Sequence, residues 1–185
     1  SRNVQTAFAV GQARGVVLLA VAVAGPAAAL PVGRSAGTVV LAMDVSNSMS
    51  ADDVTPSRLA AAQQAALSFI DSQPDSVDIG VVGFDQGALT TSRPSADRAA
   101  SKAAVQNMRT AGGTSLASAI LGSLSAITGT PVRIGEDGAL PDIGNWGSAT
   151  IVLISDGEDQ GGSGGSDAVT AAATIAQNAG IHIEA

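Results

Sequence analysis

Apolar and polar positions follow two different periods along this chain. Three runs are almost entirely aliphatic, which is typical of strands buried on both faces of a parallel sheet: residues 38–43, 77–84 and 149–155. Apolar residues three or four positions apart predict helices in the stretches that separate or follow these runs: residues 56–73, 95–108, 115–128 and 167–179. This alternation predicts a doubly wound, Rossmann-like α/β sheet, mostly parallel, with helices on both faces.

Shorter signals refine this order. Thr55 is expected to cap the first helix, with Pro56 at its first position and Pro74 ending it. Residues 87–91 follow the second strand so closely that they predict an antiparallel edge strand in a hairpin. Residues 181–184 begin a further strand. We therefore expect a mostly parallel sheet with one antiparallel edge.

Two stretches predict connections. Residues 131–148 are rich in Gly, Pro and Asp and predict a loop, and the repeat GGSGGS at 161–166 predicts a flexible surface turn. Trp146 lies in the longer loop, where a packing anchor is favoured over a partner-binding position. His182 alternates with two isoleucines, and this pattern predicts that it is a structural or partly exposed histidine.

The N-terminal part differs from the rest. Residues 15–33 contain no charge over 19 positions, close to the roughly 20 that a helix needs to cross a membrane. Pro26 and Pro31 would end such a helix early, so a signal-peptide core and a buried or disordered segment are the alternatives. The expected organisation is an N-terminal flank at 1–14, a transmembrane helix at 15–33 and a domain at 37–185.

The charges are unevenly distributed in a chain of net charge −7. All 16 acidic residues lie between Asp44 and Glu184, whereas the preceding part carries only arginines. Such a balance argues against nucleic-acid binding and favours cationic partners or a bound metal. Two arginines, Arg2 and Arg14, precede the apolar run, and one, Arg34, follows it. Because positive charge is enriched on the cytoplasmic side of a membrane helix, this difference predicts that the acidic domain lies outside the cytoplasm. With no cysteine, thiolate zinc sites and cysteine nucleophiles are excluded from this sequence.

Three polar loops should meet at one edge of the sheet, because the carboxyl ends of parallel strands lie together. They contain DVSNS at 44–48, GGTS at 112–115 and SDG at 155–157. In the first, Asp44, Ser46 and Ser48 occupy alternate positions, so their side chains can converge. Hydroxyl and carboxylate oxygens are hard ligands suited to Mg²⁺. Neutral hydroxyls would leave the metal electrophilic enough to attract a carboxylate from a partner.

The sequences MDVSNSMS, AGGTSLASAI and IVLISDGED resemble the three loops of the metal-ion-dependent adhesion site of von Willebrand factor A domains. The resemblance covers about residues 37–185 and implies a non-enzymatic domain that binds Mg²⁺, with Mn²⁺ or Ca²⁺ as alternatives. The implied ligands are Asp44, Ser46, Ser48, Thr114 and Asp156. We expect these side chains at a solvent-facing loop edge, where a partner protein supplies an Asp or Glu carboxylate.

A narrower resemblance concerns the arrangement around the first loop. This arrangement is similar to that of bacterial aerotolerance (Bat)-type membrane proteins. It consists of an apolar helix ending in AGP, a short linker, a strand leading to DVSNSM and a downstream DVTPSR. That likeness implies a membrane helix directly before an extracytoplasmic domain, and association with a MoxR-type ATPase system. The sequence starts at Ser1 and stops within an apolar alternation, so we expect a piece of a longer protein that lacks the last strand and helix of the fold.

Two other functions compete. Asp and Ser are common in turns, so the loops could belong to a metal-free scaffold. Alternatively, Asp44 could be the nucleophile of a phosphatase-like or receiver-like enzyme. However, Ser46 stands where such enzymes need a second carboxylate, and Lys102 falls on a helix. The remaining acids beside the first and third loops are expected to be solvated, not ligands: Asp52, Asp53, Glu158 and Asp159.

Overall fold

The computed structural model describes residues 37–156 and 165–185, in which strands and helices alternate. The strands are β1 (Thr38–Asp44), β2 (Asp78–Phe84), β3 (Ala88–Ser95), β4 (Ala149–Ile154) and β5 (His182–Glu184). The helices are α1 (Arg58–Ser72), α2 (Arg98–Gln106), α3 (Leu116–Thr128) and α4 (Gly165–Asn178), with a 3₁₀ turn at Asn47–Ser50. The described strands form one sheet in the order β3-β2-β1-β4-β5.

The pairing confirms the predicted fold class. β1 pairs in parallel with β2 and with β4, and β4 pairs in parallel with β5. β3 is antiparallel to β2 and forms the edge of the sheet, as the short connection between them predicts. β1 is therefore the central strand. Its last residue, Asp44, lies opposite Phe84 at the carboxyl edge of the sheet.

A hydrophobic core lies on each face of the sheet. Val40 and Ala42 of β1 contribute to the core shared with α3 and α4, while Leu41 and Met43 contribute to the core shared with α1 and α2. Successive strand residues point to opposite faces, so one aliphatic run serves both cores. This explains why residues 38–43 are continuously apolar, with Val39–Met43 at most 1% exposed.

Several predicted boundaries were wrong. α1 begins at Arg58, not at Pro56, because Ser57 is the cap: its hydroxyl accepts the Ala60 N–H at 3.2 Å. α2 begins at Arg98, not at residue 95, since the Asp97 carboxylate accepts the Ala100 N–H at 3.0 Å. Capping side chains decide these starts, and apolar spacing does not reveal them.

The edge strand β3 is longer than the predicted 87–91 and continues through Pro94 to Ser95. Proline lacks an N–H for a strand ladder, but at an edge one side of the strand has no neighbour. The adjacent strand provides space with Gly80, where a Cβ would lie 2.9 Å from the Pro94 Cδ.

The loop at 131–148 contains no helix or strand, as predicted. Trp146 packs against the core, and its indole N–H donates to the Ile143 carbonyl at 2.8 Å, which agrees with a packing anchor. His182 is exposed beside buried Ile181, as the alternation predicts. Residues 165 and 166, predicted as part of a flexible turn, instead begin α4.

The predicted membrane helix at 15–33 lies outside the described residues, as do the flank at 1–14 and residues 157–164, which include Glu158 and Asp159. Among the helices that the structure describes, none has the length and apolar character needed to cross a membrane.

Candidate metal centre

Asp44 lies at the centre of the three loops. It is the last residue of β1 and is 0% exposed. Its Oδ1 accepts the Ser46 N–H at 2.8 Å, and its Oδ2 accepts the Ser155 hydroxyl at 2.7 Å. Each oxygen thus has a donor, and the carboxylate is held in one orientation between the first and third loops.

The first loop brings two hydroxyls together. The Oγ atoms of Ser46 and Ser48 are 2.9 Å apart, and the Ser46 side chain is buried. The 3₁₀ turn at Asn47–Ser50 folds the loop back, with Met49 buried beneath it. The turn thus brings the Ser46 and Ser48 hydroxyls together, while the Asp44 carboxylate binds the backbone of the same loop at Ser46.

The second loop is fixed to the first by backbone hydrogen bonds. The Asn47 N–H donates to the Gly112 carbonyl at 3.1 Å, and the Ala111 N–H donates to the Val45 carbonyl at 2.6 Å. Gly112 has a φ of +64°, and a Cβ there would lie 2.7 Å from Oδ2 of Asp85, so both backbone and space require glycine. Thr114, two residues later, is consequently held at the same edge.

The third loop contributes Asp156. Its Oδ2 accepts a hydrogen bond from Nη1 of Arg58 at 2.9 Å, and its side chain is only 10% exposed. Its Oδ1 is buried without a hydrogen-bond partner in the described part of the chain. One carboxylate oxygen is therefore engaged and the other is available.

The oxygens without partners are the test of whether a metal fits here. In the described residues, three buried side-chain atoms have no hydrogen-bond partner: Arg98 Nη1, Thr114 Oγ1 and Asp156 Oδ1. The two oxygens both belong to the predicted metal loops. Leaving a buried polar group unpaired costs about 1–3 kcal/mol, so a cation that accepted both oxygens as ligands would recover that cost.

The ligand chemistry also fits. The described residues contain no group of three or more His, Cys, Asp or Glu side chains that could hold a metal. The site instead combines hydroxyls with the carboxylates of Asp44 and Asp156, which are hard oxygen donors suited to Mg²⁺ and poor ligands for softer metals.

One expectation about these side chains was wrong. Asp44 and Thr114 do not face solvent: they are 0% and 1% exposed. Asp44 ends a strand in the middle of the sheet, and the loop that carries Thr114 is bound against the first loop. Substitutions at Asp44 will therefore disturb internal hydrogen bonds as well as any ligand.

Sequence reasoning missed three residues around the centre: Ser155, Arg58 and Asp53. Asp53 is exposed, as expected, but it also accepts two hydrogen bonds from Arg58, from Nε at 2.9 Å and from Nη2 at 2.8 Å. Hydrogen bonding by Arg58 lowers the pKa of the Asp53 carboxyl below its usual value. The motif DVTPSR contains both members of this ion pair.

Comparison with known sequences identifies the family. The sequence model described as von Willebrand factor type A domain matches residues 39–158. The chain belongs to this family. The domain is 38% identical over 144 residues to a UPF0353 protein from Nocardia farcinica, a match that covers 78% of this chain and 41% of the relative. A UPF0353 protein from Mycobacterium sp. (strain KMS) is 37% identical over 143 residues, with coverages of 77% and 41%. The chain thus spans about two fifths of the length of these relatives.

Solved von Willebrand factor A structures agree with the narrower resemblance. An aerotolerance-related membrane protein from Bacteroides fragilis superposes with a TM-score of 0.60 at 27% identity, covering 80% of this chain and 65% of that one. The protein BatB from Bacteroides thetaiotaomicron gives 0.59 at 27% identity, with coverages of 80% and 64%. A von Willebrand factor type A protein from Catenulispora acidiphila gives 0.60 at 23% identity, covering 80% of this chain and 32% of that one, and supports the fold alone.

Proposed function

We propose that this von Willebrand factor A domain is anchored in the membrane, binds Mg²⁺ and uses the metal to hold a partner protein. The proposed ligands are Asp44, Ser46, Ser48, Thr114 and Asp156. The observation that carries the proposal is the pair of buried oxygens without partners, Thr114 Oγ1 and Asp156 Oδ1, in two loops that meet the loop of Asp44.

The donor set suggests how such a centre would recognise a partner. Three of the five proposed ligands are neutral hydroxyls, which donate less charge to Mg²⁺ than carboxylates do and leave it electrophilic. The bound metal would supply a strong attraction for an additional anionic oxygen. An Asp or Glu of the partner is the proposed source of that oxygen. The resemblance to aerotolerance-type proteins favours a MoxR-type ATPase system as the associated machinery.

The catalytic alternative has less support. A phosphoryl-accepting enzyme of this kind needs further carboxylates beside the nucleophile and a lysine from a later strand end. Ser46 stands where a second carboxylate would be needed. Lys102, the one lysine in the sequence, forms an ion pair with Asp71 between α2 and α1. Protein binding is therefore the function that we propose.

Calorimetric titration of the full chain tests the metal centre. We expect one Mg²⁺ per chain and a higher melting midpoint, since a ligand that binds only the folded state stabilises it by about 2.7 kcal/mol at roughly 100 times Kd. Absence of both binding heat and a midpoint shift with Mg²⁺, Mn²⁺ and Ca²⁺ would exclude the site.

To test partner binding, membrane extract from the source organism is applied to immobilised chain. A specific partner is retained in Mg²⁺ and released by EDTA, whereas retention that ignores EDTA indicates a metal-free scaffold.

A second experiment tests the membrane anchor. Val21 lies near the middle of residues 15–33, where arginine costs about 2.5–3.5 kcal/mol for a membrane helix. We expect wild-type chain in the membrane fraction, with its acidic domain accessible to protease from outside, and Val21→Arg to reduce that fraction strongly. Leu140→Arg, which changes an exposed leucine, is the matched control and should remain in the membrane. Soluble mature protein whose N-terminus lies between residues 30 and 34 would instead indicate a cleaved signal peptide.

A further inference from the structure

Arg58 connects the metal loops to a surface loop that has no proposed ligand. It is the first residue of α1, and its side chain is 35% exposed. Its Nε and Nη2 donate to the two oxygens of Asp53, and its Nη1 donates to Oδ2 of Asp156. One guanidinium thus joins two carboxylates, only one of which belongs to the proposed metal centre.

The two oxygens of Asp156 have different surroundings. Oδ2 is engaged by Arg58, while Oδ1 is buried and has no partner in the described part of the chain. The same carboxylate can therefore keep its bond to Arg58 and still offer an oxygen to a cation. Side chains that orient metal ligands through their second oxygen or nitrogen strongly affect metal affinity.

We propose that Arg58 is a positioning residue that orients Asp156 for Mg²⁺, and that Asp53 in turn fixes Arg58. This inference rests on the proposed function, since it assigns Asp156 as a ligand. Orientation matters for this carboxylate because the third loop begins where β4 ends at Ile154, so strand pairing no longer holds Asp156.

Arginine suits this role better than lysine. Its planar guanidinium presents donors in a fixed fork, so the pair of bonds to Asp53 sets the direction of the third bond to Asp156. A lysine has one compact ammonium group and cannot reproduce this three-point arrangement. Arg58→Lys would keep the charge but lose the direction.

The positive charge of Arg58 would by itself oppose a nearby cation, so the balance of effects matters. Asp53 accepts two hydrogen bonds from the guanidinium, and the hydrogen bond from Arg58 lowers the pKa of Asp53, which keeps it ionised at neutral pH. The group formed by Asp53, Arg58 and Asp156 then carries a net negative charge. Since Arg58→Lys keeps the positive charge, that variant separates the effect of orientation on Asp156 from the effect of charge.

The test is calorimetric titration of the full chain with Mg²⁺, together with melting midpoints in EDTA. We expect Arg58→Ala and Arg58→Lys to weaken Mg²⁺ binding by about 10–100-fold, the usual cost of losing such a partner. Asp53→Asn should weaken it less, because Arg58 remains but is held less firmly. Arg93→Ala, which removes an exposed arginine of β3 that has no ion pair in the described residues, should bind Mg²⁺ like wild type.

The outcomes separate this inference from the proposed function. If wild-type chain binds no Mg²⁺, both are overturned. If wild type binds Mg²⁺ and the folded Arg58 variants bind it equally well, only the role of Arg58 is overturned, even where their midpoints in EDTA fall. If Arg58→Ala does not fold, Arg58→Lys and Asp53→Asn decide in the same way, since Asp53 is an exposed position.

Discussion

Thr114→Val is expected to abolish detectable Mg²⁺ binding without lowering the stability of the metal-free chain. Valine has nearly the shape of threonine but lacks the hydroxyl. Because Thr114 Oγ1 is buried and has no partner in the described residues, its removal should leave the free energy of unfolding unchanged or raise it by about 1 kcal/mol. Loss of a ligand should weaken Mg²⁺ binding by more than the roughly 10–100-fold that an orienting partner costs.

The measurements are Mg²⁺ titration by calorimetry and urea unfolding in EDTA. Thr170→Val is the control, since Thr170 is an exposed residue of α4 whose hydroxyl bonds to the Ser166 carbonyl. It should leave Mg²⁺ affinity unchanged. Asp44→Ala is a poorer test, because it would also remove an acceptor of the Ser46 N–H and of the Ser155 hydroxyl. Wild-type affinity in Thr114→Val would remove Thr114 from the ligand set.

Phe84→Ala is expected to lower the free energy of unfolding by about 3–5 kcal/mol, a large part of the roughly 5–15 kcal/mol that stabilises an ordinary domain. Phe84 is fully buried in the core formed with α3 and α4. It also lies opposite Asp44 in the sheet, and its carbonyl accepts the Val45 N–H at 2.9 Å. A cavity there would loosen the strand end from which the first metal loop starts.

Chemical unfolding followed by circular dichroism measures this effect. Phe69→Ala makes the same change at a partly buried position on α1 and should cost distinctly less. Mg²⁺ should partly restore the stability of Phe84→Ala if the proposed site still forms. Equal losses for the two phenylalanine variants would contradict the assignment of Phe84 to the tightly packed core.

The sheet and part of the site could be predicted because their signals are local. The run at 38–43 is apolar on both faces, and the short link before residue 88 allows only a hairpin. Likewise, Asp44, Ser46 and Ser48 lie within five consecutive residues, so one short loop carries all three. Ser115 caps α3, with its hydroxyl 3.3 Å from the Ser118 nitrogen, as the predicted start of that helix requires.

Other features depend on contacts between distant parts of the chain. Arg58 and Asp156 are 98 residues apart, so no local pattern indicates that they form a pair. The burial of Asp44 follows from its place between Phe84 and the end of β4, which is a property of the assembled sheet. The start of α1 was misjudged because Thr55 and Ser57 can both cap a helix, and only the contact between Ser57 and Ala60 distinguishes them.

Because Asp44 lies on β1 itself, metal binding depends on the register in which this central strand pairs with its neighbours. If β1 slipped by one residue against its neighbours, every side chain would exchange faces, and the carboxylate would leave the edge where the other two loops meet. The same slip would move Val40 and Ala42 out of the core that they share with α3 and α4. The proposed Mg²⁺ would therefore bind only the correctly paired sheet and would stabilise it relative to sheets in which β1 has a shifted register. Retained Mg²⁺ affinity in a variant then indicates that the strands have joined in the native alignment.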